Sequence, residues 1–161
     1  MNVNEVRNPK YIRKESPAFI DDNDAIKYYE RKFQRMKDKN TPFSFNLWGL
    51  VFGEFWFIYR KMMLLGFGML LIHIIALFAA FYFDIGIIAA IASVAMSVAG
   101  GIFGNYAYMC YADECIMKAS VMNYEDRYAY YAENGGASFR ILFGAIASIV
   151  VVLFALAVSF A

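Results

Sequence analysis

The sequence has one histidine, His73, inside the apolar run Leu-Leu-Ile-His-Ile-Ile-Ala. An ionisable side chain in such a setting is a candidate for proton or ligand chemistry. A metal site needs several ligands. No second histidine, no cysteine and no carboxylate shares the apolar runs at the depth of His73. The reading that remains is a neutral imidazole hydrogen-bonded to a neighbouring helix, with Ser93 and Ser97 as the candidate partners. Cys110 and Cys115 are five positions apart, share no helix face well and have no partner pair elsewhere, so they read as two reduced thiols rather than a zinc site. Cys110 would lie near a membrane surface, where acylation is open to it. Glu125 and Asp126 read as a solvated face. No Ser-His-Asp set, phosphate loop or pair of carboxylates within a plausible pocket is visible. No catalytic, cofactor-binding or metal-binding residue is therefore assigned, no cofactor is expected, and the chain is not expected to be an enzyme.

The elements that must hold these residues are dominated by three runs without Asp, Glu, Lys or Arg: residues 62–83, 85–112 and 141–161. Each meets the roughly 20 residues that a helix needs to cross the hydrocarbon core. Hydrophobic residues make up 61% of the chain, far above the roughly 45–50% of soluble domains. Three segments cannot close a barrel, and an open sheet edge cannot be satisfied in lipid, so the runs must be helices. The expected fold is an all-α membrane protein with three transmembrane helices, near 62–83, 85–109 and 140–160.

Ten of the 15 Lys and Arg fall within residues 1–42, and Arg60 and Lys61 stand just before the first run. The turn at Asp84 has none, the connection from Met109 to Arg140 holds Lys118, Arg127 and Arg140, and the C-terminus has none. The positive-inside rule places the N-terminus and the 110–138 connection in the cytoplasm, with the Asp84 turn and Ala161 outside. The charged N-terminal stretch has no apolar core of a signal peptide. The net charge of +1 offers no field for nucleic acid.

Within the arm, Asp21-Asp22-Asn23-Asp24 is a candidate N-cap cluster. After it, Ile26, Tyr29, Phe33 and Met36 recur at helical spacing between basic residues, the pattern of an amphipathic helix. That helix can lie on headgroups, dock on another protein, or pack on this protein's own cytoplasmic part. Residues 43–61 form an aromatic segment holding both Trp residues. Its Glu54 would be costly at the bilayer centre, so an interfacial or re-entrant helix is expected, with Trp48, Trp56, Tyr59, Arg60 and Lys61 as membrane-interface anchors. The second span is expected to continue as a helix into the 110–138 connection. Asn134-Gly135-Gly136 should stop the next helix, and Ser138 should cap the third span over 139–161. Ala89, Ser93, Ser97 and Gly101, with Gly100 and Gly104, form a small-residue stripe suited to close helix packing, internal first and oligomeric second.

The stretch KYYERKFQRM, followed by FSFNLWGLVFGEFWFIYRKMML, resembles the domain of unknown function 2628 family. Phe45, Asn46, Phe52, Gly53, Phe55, Trp56, Tyr59, Arg60, Lys61 and Met62 match the pattern of that family, while Glu54 stands where it usually has Pro. Asn105-Tyr106 and Gly135-Gly136 with Ser138 also fit. The resemblance covers most of residues 27–138. It implies a small bacterial inner-membrane protein and carries no activity.

The expected function is that of a non-catalytic accessory subunit or anchor, binding a partner at the cytoplasmic face. The expected partners are the lipid bilayer and a second protein or another copy of this chain. The alternatives are a component of an oligomeric transport or pore assembly, and a lipid-perturbing protein acting through the aromatic segment.

Overall fold

The computed structural model describes residue 15, residues 17–20 and residues 23–159, with side chains described through residue 150 except at 23 and 24. The candidate cap cluster at 21–24 and the C-terminal Ala161 therefore lie outside the described side chains. All regular structure among the described residues is helical. Residue 15 and residues 17–20 are helical, and after them come α1 (Asn23–Asp38), α2 (Leu47–Phe52), α3 (Glu54–Tyr59), α4 (Met63–Tyr82), α5 (Gly86–Ala119), α6 (Tyr124–Asn134) and α7 (Phe139–Ser159).

Helices α4 and α5 form an antiparallel hairpin, and both are long and apolar enough to cross a membrane, with mean hydropathies of 2.5 and 2.1. Only 11% of the most apolar stretch of each is buried. A soluble core helix of that composition would be covered by its neighbours, whereas these two turn their Leu, Ile and Phe side chains outward. At 1.5 Å per residue, α5 is about 50 Å long, well beyond a hydrocarbon core of roughly 30 Å. Its last turns leave the hairpin and join a polar head, as the continuous helix read from the sequence requires.

Among the described residues two helices, rather than the three expected, meet the requirement. The third charge-free run is helical over Phe139–Ser159, and the stretch of it with described side chains, Phe139–Val150, is by itself shorter than a span.

The head is built on aromatic packing. Tyr29, Phe33 and Met36 of α1 are buried, and Tyr29 meets Tyr108 of α5 at 4.8 Å between ring centroids. The apolar stripe of α1 thus packs on its own protein. Lys37 pairs with Asp113 of α5 at 3.2 Å, fixing the outer end of the contact. Phe19 inserts between Tyr111 and Tyr131, and its carbonyl accepts from the Gly136 N–H at 2.8 Å. A Cβ on Gly135 would run into that same Phe19 carbonyl, which explains a glycine at the stop after α6. Ser138 caps α7, its Oγ accepting from the Ile141 N–H at 3.3 Å.

Three helices end in the same left-handed device. Asn40, Lys61 and Asp84 have φ of 46°, 60° and 56°. After each, the next residue's N–H reaches back to close a wide turn: Thr41 to Met36, Met62 to Phe57 and Ile85 to Ala80. Each also donates its own N–H three residues back, the pattern of a Schellman cap. Asp84 at this position makes the reversal between α4 and α5.

Candidate functional site

The aromatic segment folds as two short helices rather than one. Gly53 stands between α2 and α3 with φ 49° and ψ −124°, a conformation closed to other residues without strain. Asn46 starts α2, its Oδ1 accepting from the Gly49 N–H at 3.0 Å. The chain before it lies along α5, with the Ser44 and Asn46 N–H groups donating to the Ile102 and Gly101 carbonyls at 3.1 and 2.8 Å. Glycine makes this approach possible. A Cβ on Gly100 would meet the Gly49 backbone, and one on Gly104 would meet the Asn46 side chain at 2.9 Å. Gly100, Gly101 and Gly104 of the small-residue stripe therefore serve internal packing, and their partner is the α2–α3 hairpin.

Asn105 completes the seam. It is fully buried, and its Nδ2 lies 3.1 Å from both the Phe45 carbonyl and the Ser44 Oγ, with the Tyr28 hydroxyl at 3.3 Å. One amide thus ties α1, the 44–45 segment and α5.

After the Gly53 bend, α3 runs back over α4, where Gly66 leaves room for Ile58 and the Glu54 carbonyl. That places the Glu54 side chain beside the middle of α4. Helical side chains point toward the N-terminus of their own helix, so His73 leans back to meet it. Its Nδ1 lies 2.9 Å from Glu54 Oε1, and its Nε2 lies 2.8 Å from Ser93 Oγ. The Ser93 hydroxyl also donates to the Ala89 carbonyl at 2.9 Å. Of the two candidate partners of His73 on α5, Ser93 makes the hydrogen bond and Ser97 takes no part in it. Sequence reasoning placed no carboxylate at this depth. Glu54 arrives there from outside the apolar runs, and although the sequence offers no Ser-His-Asp set, the fold brings Glu54, His73 and Ser93 into one hydrogen-bonded row.

Geometry alone gives this chain two uses. It can clamp the α2–α3 hairpin onto α4 and α5. It can also poise the Ser93 oxygen, with His73 as base and Glu54 as its orienting carboxylate. The second use needs the Ser93 proton directed at Nε2, whereas its bond to Ala89 is the ordinary back-bond of a helical serine.

The five residues read as interface anchors separate. Trp48 is exposed on the outer face of α2, stacked on Phe52 at 5.8 Å. Tyr59 is half-buried against Phe139 at 4.8 Å. Lys61 donates from Nζ to the Ala132 carbonyl at 2.6 Å. Trp56 and Arg60 differ from the expectation, since their side chains are buried inside the protein. Arg60 lies over the rings of Tyr29, Tyr108 and Tyr59 at 4.8, 5.3 and 5.6 Å. Burial holds the Tyr29 phenol above its ordinary value, although the Arg60 charge beside it acts in the opposite sense.

Cys110 is exposed and Cys115 buried, and neither forms a disulfide. No group of three or more metal-ligating side chains occurs among the described residues. No curated protein and no solved structure matches the chain. The sequence profile of a family described as protein of unknown function (DUF2628) matches residues 11–113, the span that contains α1, both aromatic helices, α4 and the seam through Asn105. That match covers more than half of the sequence, and the chain belongs to the DUF2628 family.

Proposed function

We propose that this chain is a non-catalytic, multi-pass protein of a bacterial inner membrane, acting as an accessory subunit or anchor for a partner at the cytoplasmic face. In this reading α4, α5 and α7 are the spans, the α2–α3 hairpin dips into the cytoplasmic leaflet, and the head of α1, α6 and the end of α5 stands in the cytoplasm. The basic residues before α4 and around α6 support that orientation.

The observation that carries the reading is the closure of the Glu54–His73–Ser93 chain. Glu54, His73 and Ser93 spend hydrogen bonds on one another, and these bonds join α3, α4 and α5. The recognition surface then falls to the head and to the exposed Phe43 and Phe45 beside it.

Extraction in mild detergent followed by affinity purification tests this. A stoichiometric second protein is the expected outcome. A pure homo-oligomer favours a transport or pore assembly, for which the titratable His73 and Glu54 would be the proton-handling groups. A monomer carrying only lipid favours a lipid-perturbing role. Reagent labelling of cysteines engineered at positions 84 and 161 from the outside checks the orientation.

A further inference from the structure

Between the α2–α3 hairpin and the start of α7 lies a cleft of about 450 Å³. Trp48 and Phe52 of α2, Phe55 and Tyr59 of α3, and Leu142 of α7 form its apolar body, and Arg60 forms part of its wall. Arg60 is only 8% exposed, and its Nε and Nη1 are buried with no hydrogen-bond partner. The three tyrosine rings around it attract the charge, and the Tyr29 and Tyr108 hydroxyls lie close enough to accept from the guanidinium, but burial keeps both phenols neutral and neither supplies a negative charge. Among the described residues no carboxylate lies within ion-pair distance of it. A buried guanidinium without an anion is an incomplete site, and its forked donors suit a phosphate.

We propose that this cleft binds one anionic phospholipid, with its phosphate on Arg60 and one acyl chain along Phe52, Phe55 and Leu142. The proposal rests on the membrane reading above. A free phosphate would leave the aromatic wall uncovered, whereas that wall continues into the exposed outer face of α2 at Trp48 and Phe52. An uncompensated positive charge distinguishes an anionic headgroup from a zwitterionic one.

The test is native mass spectrometry of the full chain in mild detergent, offered equal amounts of dioleoyl phosphatidylglycerol and dioleoyl phosphatidylcholine. One phosphatidylglycerol should be retained, with a preference of about tenfold or more. R60Q should bring the two lipids to parity, and R60K should keep part of the preference. Loss of a buried residue can unfold the chain, so L142W provides a second route: it fills the apolar body from α7 and should release the lipid while leaving Arg60 in place. Equal retention of both lipids by the unaltered chain overturns the proposal. So does a preference that survives both R60Q and L142W, or displacement of the lipid by millimolar inorganic phosphate. A chain that is soluble without detergent overturns the membrane reading and this proposal together. A membrane-bound chain with no lipid preference overturns this proposal alone.

Discussion

Gly49 of α2 and Gly100 of α5 meet backbone to backbone, so closely that a Cβ on either would enter the other's peptide group. This is the tightest point of the seam that fixes the aromatic hairpin on α5. The neighbouring atoms are main chain and cannot rotate away. Gly49→Ala and Gly100→Ala should each destabilise by about 1–3 kcal/mol, the range for overpacked sites. Ser97→Ala, on the same helix but outside the seam, should change little. Thermal unfolding in detergent measures all three, and equal midpoints would remove the seam as a determinant of the fold.

The left-handed Asp84 gives a prediction of opposite sign. A non-glycine residue at positive φ costs roughly 1–2 kcal/mol, and glycine returns about 0.5–1 of this through the greater freedom of the unfolded chain. Asp84 is exposed and its φ is 56°. Asp84→Gly should therefore stabilise the α4–α5 hairpin by about 0.5–1 kcal/mol. A lower unfolding midpoint in this variant would show that the aspartate side chain contributes to the turn.

Much of this arrangement was legible because it follows from local periodicity. The depth of His73 relative to Ser93 comes from counting along two helices from one turn. The stripe of Tyr29, Phe33 and Met36 and the cap at Ser138 need only helical spacing and a hydroxyl at a helix start. Glu54 was not legible in the same way. Its cost in lipid argued for the interface, and the compensating partner lies nineteen residues away on another helix. The signal was the Gly53 beside it, which permits a bend that carries the carboxylate inward. Burial of Arg60 was hidden for a related reason: the three rings around it come from α1, α3 and α5, and no sequence window contains them. The third span is a case where apolar run length gave more than the described side chains establish.

Tyr29 sets a pH dependence in the head. Its phenol is raised by burial, and Arg60 only partly offsets this. In the unfolded chain it ionises near the usual value of about 10. The folded value is the higher one, so its contribution to stability is complete below about pH 10 and is lost as pH rises through the folded value. Stability of the unaltered protein should fall more steeply above about pH 10 than that of Tyr29→Phe. Denaturation midpoints across that window check this. Parallel curves would mean that Tyr29 ionises alike in both states.

His73 provides the sharpest test, because it is the sole histidine and a ¹⁵N-histidine label reports on it alone. Ser93 has one hydroxyl proton and two neighbours, the Ala89 carbonyl at 2.9 Å and His73 Nε2 at 2.8 Å. If that proton goes to Ala89, Nε2 must carry its own hydrogen and donate to Ser93 Oγ. Nδ1 then meets Glu54 either as an N–H facing a carboxylate or as a lone pair facing a carboxyl group. Both arrangements leave the pair without net charge, which apolar surroundings favour. If instead the serine proton goes to Nε2, the imidazole is neutral with its hydrogen on Nδ1, the carboxylate keeps its charge, and Ser93 is oriented as a nucleophile would be. The non-catalytic reading therefore expects Nε2 to be protonated at neutral pH, and to stay so in Glu54→Gln, where the amide can still serve Nδ1. Ser93→Ala should cost about 0.6 kcal/mol, the average for a hydrogen bond between membrane helices. A neutral imidazole protonated only at Nδ1, with Nε2 accepting, would contradict the clamp and make acylation of Ser93 by an activated phosphonate the next measurement.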